Sequence, residues 1–247
     1  MNFSAGQFTT HGQSHWNIIP TARNVLDDNL AVVYASQGAR LVVGDTANFE
    51  LLFSSPLAVE NYLPALGNPG ILTTSLLDPT LSGSGVFGGD VVALTLDVDS
   101  SAGGLLAHPA GISFGDLYLT GYDGTSVAGL DGKTVSQLLA IDNRALGDGI
   151  SDFSIDDLNL VSNPLGAAFT DGQITNFSCD HLTSTNPNGG GNPIVTPRAV
   201  EPTSVGRAAG GGNAPLLVAP PFQPEIFHLN QNIAPELCAS GLLVPGC

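Results

Sequence analysis

Hydrophobic and polar positions follow a short-strand pattern near the start of the chain. Three apolar runs, LAVVYAS at 30–36, ARLVVG at 39–44 and FELLFSS at 49–55, are rich in β-branched or aromatic residues. The sequences between them, QG and GDTAN, are typical of turns. We therefore predict that the first 55 residues are strand-rich and form a sheet or a sandwich-like arrangement.

A helical pattern first appears after residue 55. Pro56 follows two serines, and proline suits the first turn of a helix that a serine caps. Leu57, Val59, Tyr62 and Leu63 can lie on one side of such a helix. We predict a short helix over 56–66 that ends near Pro64.

Helical spacing predominates between residues 86 and 170. In segment 130–149 an apolar face recurs at helical spacing, and Gly147 is a candidate stop. This face consists of Val135, Leu138, Leu139 and Leu146. In segment 154–169, Ser154 and Asp157 have the spacing of a capping pair, and Pro164 is expected to kink or split the helix.

Two other segments of this region are less regular. Segment 86–98 alternates like a strand from Val92 to Val98, but Asp90 precedes a compact apolar run as a helix cap would. The residues leave strand and helix open there, and we favour a helix only on the family resemblance described below. Segment 113–122, SFGDLYLTGY, is predicted to be a strand or a turn followed by a strand.

The composition changes after GQITNFSCDHL at 172–182, where glycine clusters and prolines become dense. Apolar residues nevertheless persist, and they are too many for a solvated linker. They are Ile194, Val195, Leu216, Leu217, Val218, Phe222, Ile226 and Phe227. We predict an α+β globular body over 1–182, with its helical portion at about 86–170, and an extended Gly/Pro-rich C-terminal arm over 183–247.

The arm has the features of a segment that binds another surface. Prolines at 215, 220, 221 and 224 bracket LLVA, which leaves a stretch long enough to add to a sheet edge but too interrupted to build a sheet. Gly189–Gly191 and Gly210–Gly212 are expected to act as hinges. Whether the arm covers its own body or a neighbour is left open by the sequence.

Charge excludes several function classes. Only 11% of the residues are charged, and 22 acidic residues against six basic ones give a formal charge of −16. The negative electrostatic potential of such a chain repels phosphate groups, so nucleic acid is disfavoured as a partner.

No stretch approaches the roughly 18 to 20 apolar residues of a membrane span. Residues 1–5 also lack the pattern of a signal peptide, so a secreted form is expected to have lost its leader, and whether Met1 is native is left open.

The three cysteines, Cys179, Cys238 and Cys247, all lie in the last third of the chain. None has the paired spacing of a zinc site. We predict a disulfide between two of them. The pairing is left open, and the remaining cysteine could bond a neighbouring chain.

One pattern is typical of a catalytic nucleophile. Residues 111–115, GISFG, match the G-x-S-x-G elbow of serine hydrolases, and His181 and His228 follow in the required order. An elbow needs a strand before the serine and a helix after it, whereas AHPA precedes Ser113 and the strand-like DLYLTGY follows. We therefore expect no enzyme, and a serine hydrolase is only a distant third interpretation.

Metal ligation has two weak candidates. His11 and His15 are four residues apart, but no H-E-x-x-H glutamate lies between them, so polar surface positions or contacts between chains are favoured. Acidic residues cluster at Asp97 and Asp99 and again at four positions that could hold calcium. These four are Asp148, Asp152, Asp156 and Asp157. Neither cluster follows a calcium-loop pattern, so a solvated face or a helix N-terminus is favoured and no cofactor is expected, with calcium the alternative.

Spaced phrases of the body resemble an uncharacterised module of large secreted bacterial cell-surface, adhesin-like proteins. The phrases fall between about residues 6 and 180. They are GQFTTHGQSHWN (6–17), LVVGDTANFELLFSSPLAVENYLPALGNPGILTTS (41–75), VFGGDVVALTLDVD (86–99), FGDLYLTG (114–121), GKTVSQLLAIDNRALGDG (132–149) and FTDGQITNFSC (169–179). The resemblance implies extracellular or cell-surface placement and supplies no catalytic residues.

The sequence thus favours a non-enzymatic, secreted structural subunit that polymerises with copies of itself into a surface or extracellular fibre. The arm, with the N-terminal segment as a second candidate, would dock on a neighbouring subunit by strand addition and apolar burial. The alternative is an adhesin-type binding module that recognises glycan or another surface protein, with calcium as a candidate requirement. In that case the arm would be a linker or would wrap its own body.

Overall fold

Helices are the predominant secondary structure, covering nearly half of the part of the chain that the computed structural model describes, which is residues 3–189. The helices are α1 (Gln13–Ile18), α2 (Pro20–Val33), α3 (Pro56–Tyr62), α4 (Gly85–Ala102), α5 (Val135–Asp148), α6 (Ile155–Gly166) and α7 (Asn176–His181). The strands are β1 (Leu41–Gly44), β2 (Glu50–Phe53), β3 (Leu76–Leu77), β4 (Tyr118–Leu119) and β5 (Leu182–Thr183). The described chain is therefore a mixed α+β fold with small sheets.

Helix α4 is the central element, and it confirms the helix favoured for 86–98. Almost every residue from Phe87 to Val98 is buried, as expected for a helix that is apolar around its whole circumference. It packs against α6, α5 and α1. Gly89 permits the close approach of α1, because a Cβ at this position would lie 2.0 Å from the Gln13 Oε1 atom.

The prediction of a strand at residues 30–36 is wrong. Residues 30–33 belong to α2, and a 3-10 turn follows at 35–37. Ala22, Leu26 and Leu30 are buried at a spacing of four residues, which is the helical period. Pro20 occupies the first turn, where the missing N–H costs nothing. The β-branched Val32 and Val33 favoured a strand locally, but the longer-range period of the apolar face prevails.

The two other early strands are confirmed, although they form a small sheet instead of a sandwich. β1 and β2 pair antiparallel from Leu41 opposite Phe53 to Gly44 opposite Glu50, and β3 adds in parallel to β2. Gly44 has φ +111°, and a Cβ there would lie 2.6 Å from the Phe49 carbonyl oxygen, so the turn requires glycine.

The predicted helices around α3, α5 and α6 are confirmed. Ser55 caps α3 and Ser154 caps α6, with the Ser154 hydroxyl accepting from the Asp157 backbone N–H. The predicted stop at Gly147 is wrong by two residues, because α5 ends at Asp148 and its C-cap is Gly149, which has φ +72°. Gly147 instead lies inside the helix where it meets the backbone of Asp45. Pro164 lies inside α6 and does not split it.

Segment 113–122 contains little strand. Residues 114–116 form a 3-10 turn, and the strand that follows, β4, contains only Tyr118 and Leu119 and pairs antiparallel with β5. The N-terminal segment packs inside the body, with Phe3 and Phe8 against Phe169 at ring separations of 5.0 and 5.2 Å. One continuous apolar core runs from this aromatic cluster through α4 to the three-stranded sheet.

Candidate functional site

Ser113 of the GISFG motif caps the 3-10 turn that follows it. Its hydroxyl donates to Asp116 Oδ2 at 2.7 Å, and its backbone N–H donates to the same atom at 2.8 Å. No strand occurs at 105–112 and no α-helix follows directly, so the strand–serine–helix geometry of a nucleophile elbow is not formed here. His181 lies against the Thr120 carbonyl oxygen, and His228 is outside the described residues.

Two of the four acidic calcium candidates, Asp157 and Asp148, accept hydrogen bonds from other groups of the protein. Asp157 accepts from the hydroxyls of Ser126 and Ser154, and these hydrogen bonds lower the pKa of Asp157. Asp148 accepts from Arg144 and from the Ile150 backbone. Asp152 and Asp156 are exposed. Within residues 3–189 no group of three or more His, Cys, Asp or Glu side chains is placed to hold a metal ion.

The cysteine and arm predictions fall largely beyond residue 189. Cys179 lies on α7 and is disulfide-bonded. Cys238 and Cys247 are outside the described residues, so the predicted pairing stays a prediction. The same holds for the apolar arm residues Ile194, Val195, Leu216, Leu217, Val218, Phe222, Ile226 and Phe227.

The most unusual chemistry of the body is a set of buried polar side chains around α4, which we call the buried polar network. Its members are His11, Gln13, Asp90, Asp97, Asp142, Ser162 and Asn163, of which all but Asn163 are largely inaccessible to solvent. Asp90 and Asp97 are seven residues apart on α4, so they lie two turns apart on the same side of that helix. Their hydrogen-bond partners come from α1, from His11 just before it, and from α6.

Gln13 connects α1 to two other parts of the fold. Its Nε2 donates to Asp90 Oδ1 at 2.6 Å and to the Val86 carbonyl oxygen at 3.2 Å, while its Oε1 accepts from the Ala65 N–H at 2.8 Å. Asn163 of α6 donates to both oxygens of Asp90 at 3.1 and 3.2 Å. Burial raises the pKa of Asp90 to about 6, and the two amide donors oppose that rise.

Asp97 lies beneath the segment that enters α1. The His11 backbone N–H donates to Asp97 Oδ1 at 2.8 Å, and the His11 ring meets the Trp16 ring edge-on at 5.2 Å. Burial raises the pKa of Asp97 well above its usual range, and the His11 N–H and then the Trp16 indole oppose it. Burial also lowers the pKa of His11 to about 4, with a further contribution from His15.

Asp142 on α5 completes the network. The Ser162 hydroxyl of α6 donates to Asp142 Oδ2 at 2.7 Å. Burial raises the pKa of Asp142 to about 8; the Ser162 hydrogen bond opposes the rise and the charge of Asp90 adds to it. At neutral pH this carboxyl therefore carries its proton for most of the time.

Two sequence-based interpretations are wrong at these positions. Asp97 was expected on a solvated face but is fully buried, and His11 was expected at the surface but is 3% exposed. A backbone hydrogen bond of the preceding residue holds His11 in the core, because the Thr10 N–H donates to the Phe169 carbonyl oxygen at 3.1 Å. A usable signal existed, because Asp90 and Asp97 interrupt an otherwise apolar helical run at a two-turn spacing.

Within residues 3–189 the carboxyl groups of the network are shielded from solvent. A cavity of about 10 Å³ lies next to it, lined by residues that include Trp16, Leu30, Tyr34 and Ser100. This volume is about enough for a single water molecule. Perturbed carboxyl groups mark functional sites when they lie in a cleft. Here they lie in the core. Their hydrogen bonds fix the packing of α1, α4, α5 and α6, and their perturbed pKa values make the free energy of unfolding depend on pH.

The free energy of unfolding is expected to fall as the pH rises from about 6.5 to 8. Folded Asp142 holds its proton with a pKa of about 8, whereas an unfolded aspartate releases it at roughly pH 3.9. Asp142 therefore adds one bound proton to the folded state over most of this window and removes about 2 kcal/mol across it, and the raised pKa of Asp97 acts with the same sign. His11 acts with the opposite sign only at lower pH, because its depressed pKa adds stability as the pH rises from about 4 to 6.5.

Urea unfolding at the two pH values, followed by circular dichroism, measures this effect. In Asp142→Asn the amide oxygen can still accept from Ser162, and the fall in unfolding free energy should be smaller by about 2 kcal/mol. Asp156→Asn, at an exposed position of α6, is the matched control. An undiminished fall in Asp142→Asn would contradict the assignment.

No helix in the described range is both long and apolar enough to cross a membrane. Comparisons with family models, curated proteins and solved structures give no match to the chain. The resemblance to an adhesin-like surface module thus stays an interpretation of the sequence. The features of this chain that bear on its function are the packing of the body and the sequence of the arm.

Proposed function

We propose that the chain is a non-enzymatic, extracellular structural subunit that self-assembles into a cell-surface or extracellular fibre. The arm, residues 183–247, docks on a neighbouring subunit. The observation that carries this proposal is a contrast between the two parts of the chain. Residues 3–182 supply a continuous buried core, while the sequence after 189 still contains many large apolar residues.

Apolar burial is a sufficient driving force for such docking. A buried Leu, Val or Phe side chain contributes about 1.5–3 kcal/mol relative to an exposed one. Several side chains of PLLVAPPF together contribute on the order of 10 kcal/mol before the costs of ordering the arm are subtracted. The glycine clusters before this segment permit the chain to change direction towards a neighbour.

The low charge of the chain is compatible with dense assembly. Only six basic residues occur, and four of them precede residue 189. Most of the net negative charge therefore belongs to the body, whereas the 58 residues from 190 onwards carry two arginines and three glutamates. Like-charge repulsion opposes body-on-body contact, but it opposes arm-on-body contact very little.

Negative-stain electron microscopy of the purified full-length protein tests the proposal. Filaments or regular oligomers are the expected result across a range of protein concentration, salt and calcium. Deletion of 190–247 in a Cys179→Ser background should leave folded monomers, and full-length Cys179→Ser is its control. Full-length monomers under all conditions would overturn the fibre proposal and favour the binding module, whereas filaments that persist without the arm would overturn only the docking mechanism.

A further inference from the structure

The three-stranded sheet ends in a strand whose outer edge has no strand partner among residues 3–189. The strand order is β1-β2-β3, so β3 pairs with β2 on one side only. The residues leading into it, Thr73 to Ser75, are exposed, and Leu77 has 65% of its surface exposed. Unpaired edges bearing exposed apolar side chains are templates for another strand, and soluble proteins usually cover or charge them.

Two further exposed leucines follow β2 and β3 in the chain. The Asp78 carboxylate accepts from the Ser54 N–H and hydroxyl at 2.7 and 2.6 Å, which fastens the end of β3 to the start of α3. Leu57, in the first turn of α3, and Leu81, just after β3, are 61% and 73% exposed. We call Leu57, Leu77 and Leu81 with the outer edge of β3 the β3 edge.

Segment 215–222 of the arm, PLLVAPPF, fits this edge. It carries no charge, and its run of four consecutive non-proline residues, 216–219, matches the length of a short edge pairing. In an extended segment Leu216 and Val218 lie on one face and Leu217 on the other. Two apolar side chains can therefore cover the exposed face of β3 that Leu77 presents.

The reach of the arm allows the edge to belong to another subunit. The 27 residues from Gly189 to Leu216 span up to about 90 Å when extended, whereas a body of this size has a radius of gyration of about 16 Å. The chain also leaves the described body next to β5, which belongs to the two-stranded sheet and not to the sheet that contains β3.

We propose that residues 216–219 of one copy add as a strand to the β3 edge of the next copy, with Leu216 and Val218 covering Leu77. This inference rests on the proposed function and names the surface that receives the arm. Backbone hydrogen bonds along β3 would provide the affinity, and the exposed leucines of the β3 edge would provide the specificity.

A charge swap in the full-length protein tests the pairing. Leu77→Glu and Val218→Lys should each raise the protein concentration needed for assembly about tenfold or more, because each places a charge in an apolar contact. The double variant should recover most of the loss, because the two charges can pair across the contact. Val32→Glu, at a 73% exposed position of α2, is the control and should leave assembly unchanged.

The outcomes separate the two proposals. If arm deletion abolishes assembly but Leu77→Glu assembles normally, the arm docks elsewhere, and the β3 edge is overturned while the proposed function stands. If the full-length protein stays monomeric, the proposed function fails. In that case, faster proteolysis of the arm in both Leu77→Glu and Val218→Lys would show that the arm covers the edge of its own body, which overturns pairing between copies.

Discussion

Replacing Trp16 by alanine is expected to lower the free energy of unfolding by about 3–5 kcal/mol. The side chain is fully buried, on α1, and its indole lies against His11 and close to Asp97. Removing it enlarges the cavity beside Leu30 and opens a path for water to the buried Asp97 carboxyl. Urea denaturation monitored by circular dichroism measures the loss.

Ile18→Ala is the matched control for this prediction. Ile18 lies on the same helix but is 64% exposed, so its truncation should change the unfolding free energy by no more than about 0.5 kcal/mol. A similar cost for the two truncations would show that Trp16 is not a core anchor.

Replacing Gly89 by alanine is expected to cost about 2–3 kcal/mol. In a helix interior alanine is normally more stable than glycine by about 1 kcal/mol, so the sign of the change is itself diagnostic. At Gly89 the added Cβ would lie 2.0 Å from Gln13 Oε1 and 2.7 Å from the Ala65 Cβ. The substitution therefore forces apart the contact that joins α1, α4 and the segment after α3.

Gly83→Ala is the control for this steric argument. A Cβ at Gly83 has its nearest neighbour at 3.7 Å, an ordinary van der Waals contact, and the position lacks a positive φ. Its effect should be near zero or slightly stabilising. The steric account is contradicted if the unfolding midpoint of Gly89→Ala equals or exceeds that of the unsubstituted chain.

Elements with strong local signals could be predicted from the sequence. The capping pair Ser154 and Asp157 predicts the start of α6, and the turn sequence GDTAN between two apolar runs predicts the β1–β2 pair. The failure at α2 has a local cause, because Val32 and Val33 resemble a strand when only 30–36 is considered. The buried face of that helix begins at Ala22, which lies outside any window centred on the apolar run.

The partners of the buried polar network could not be predicted, because they are brought together only by the whole fold. Asp97 has the same local chemistry as an exposed aspartate, and only the approach of His11 from 86 residues away converts it into a buried hydrogen-bonded group. Gln13 gave no signal, although it contacts Asp90, Val86 and Ala65. Acidic residues inside an apolar helical run are therefore better interpreted first as buried positions of the core.

The body and the arm have separate roles in this account. The buried polar network and the close contact at Gly89 hold together the helices around α4. In the proposed assembly the body presents the β3 edge, and the arm supplies the apolar side chains that cover it.

The most direct test of the central claim is the molar mass in solution, measured by light scattering over a range of protein concentrations. For the full-length chain the account predicts a mass that rises with concentration well beyond one subunit. For Cys179→Ser lacking 190–247 it predicts the mass of a single subunit throughout, while full-length Cys179→Ser shows whether the cysteine itself matters. A constant monomer mass for the full-length chain would contradict the account.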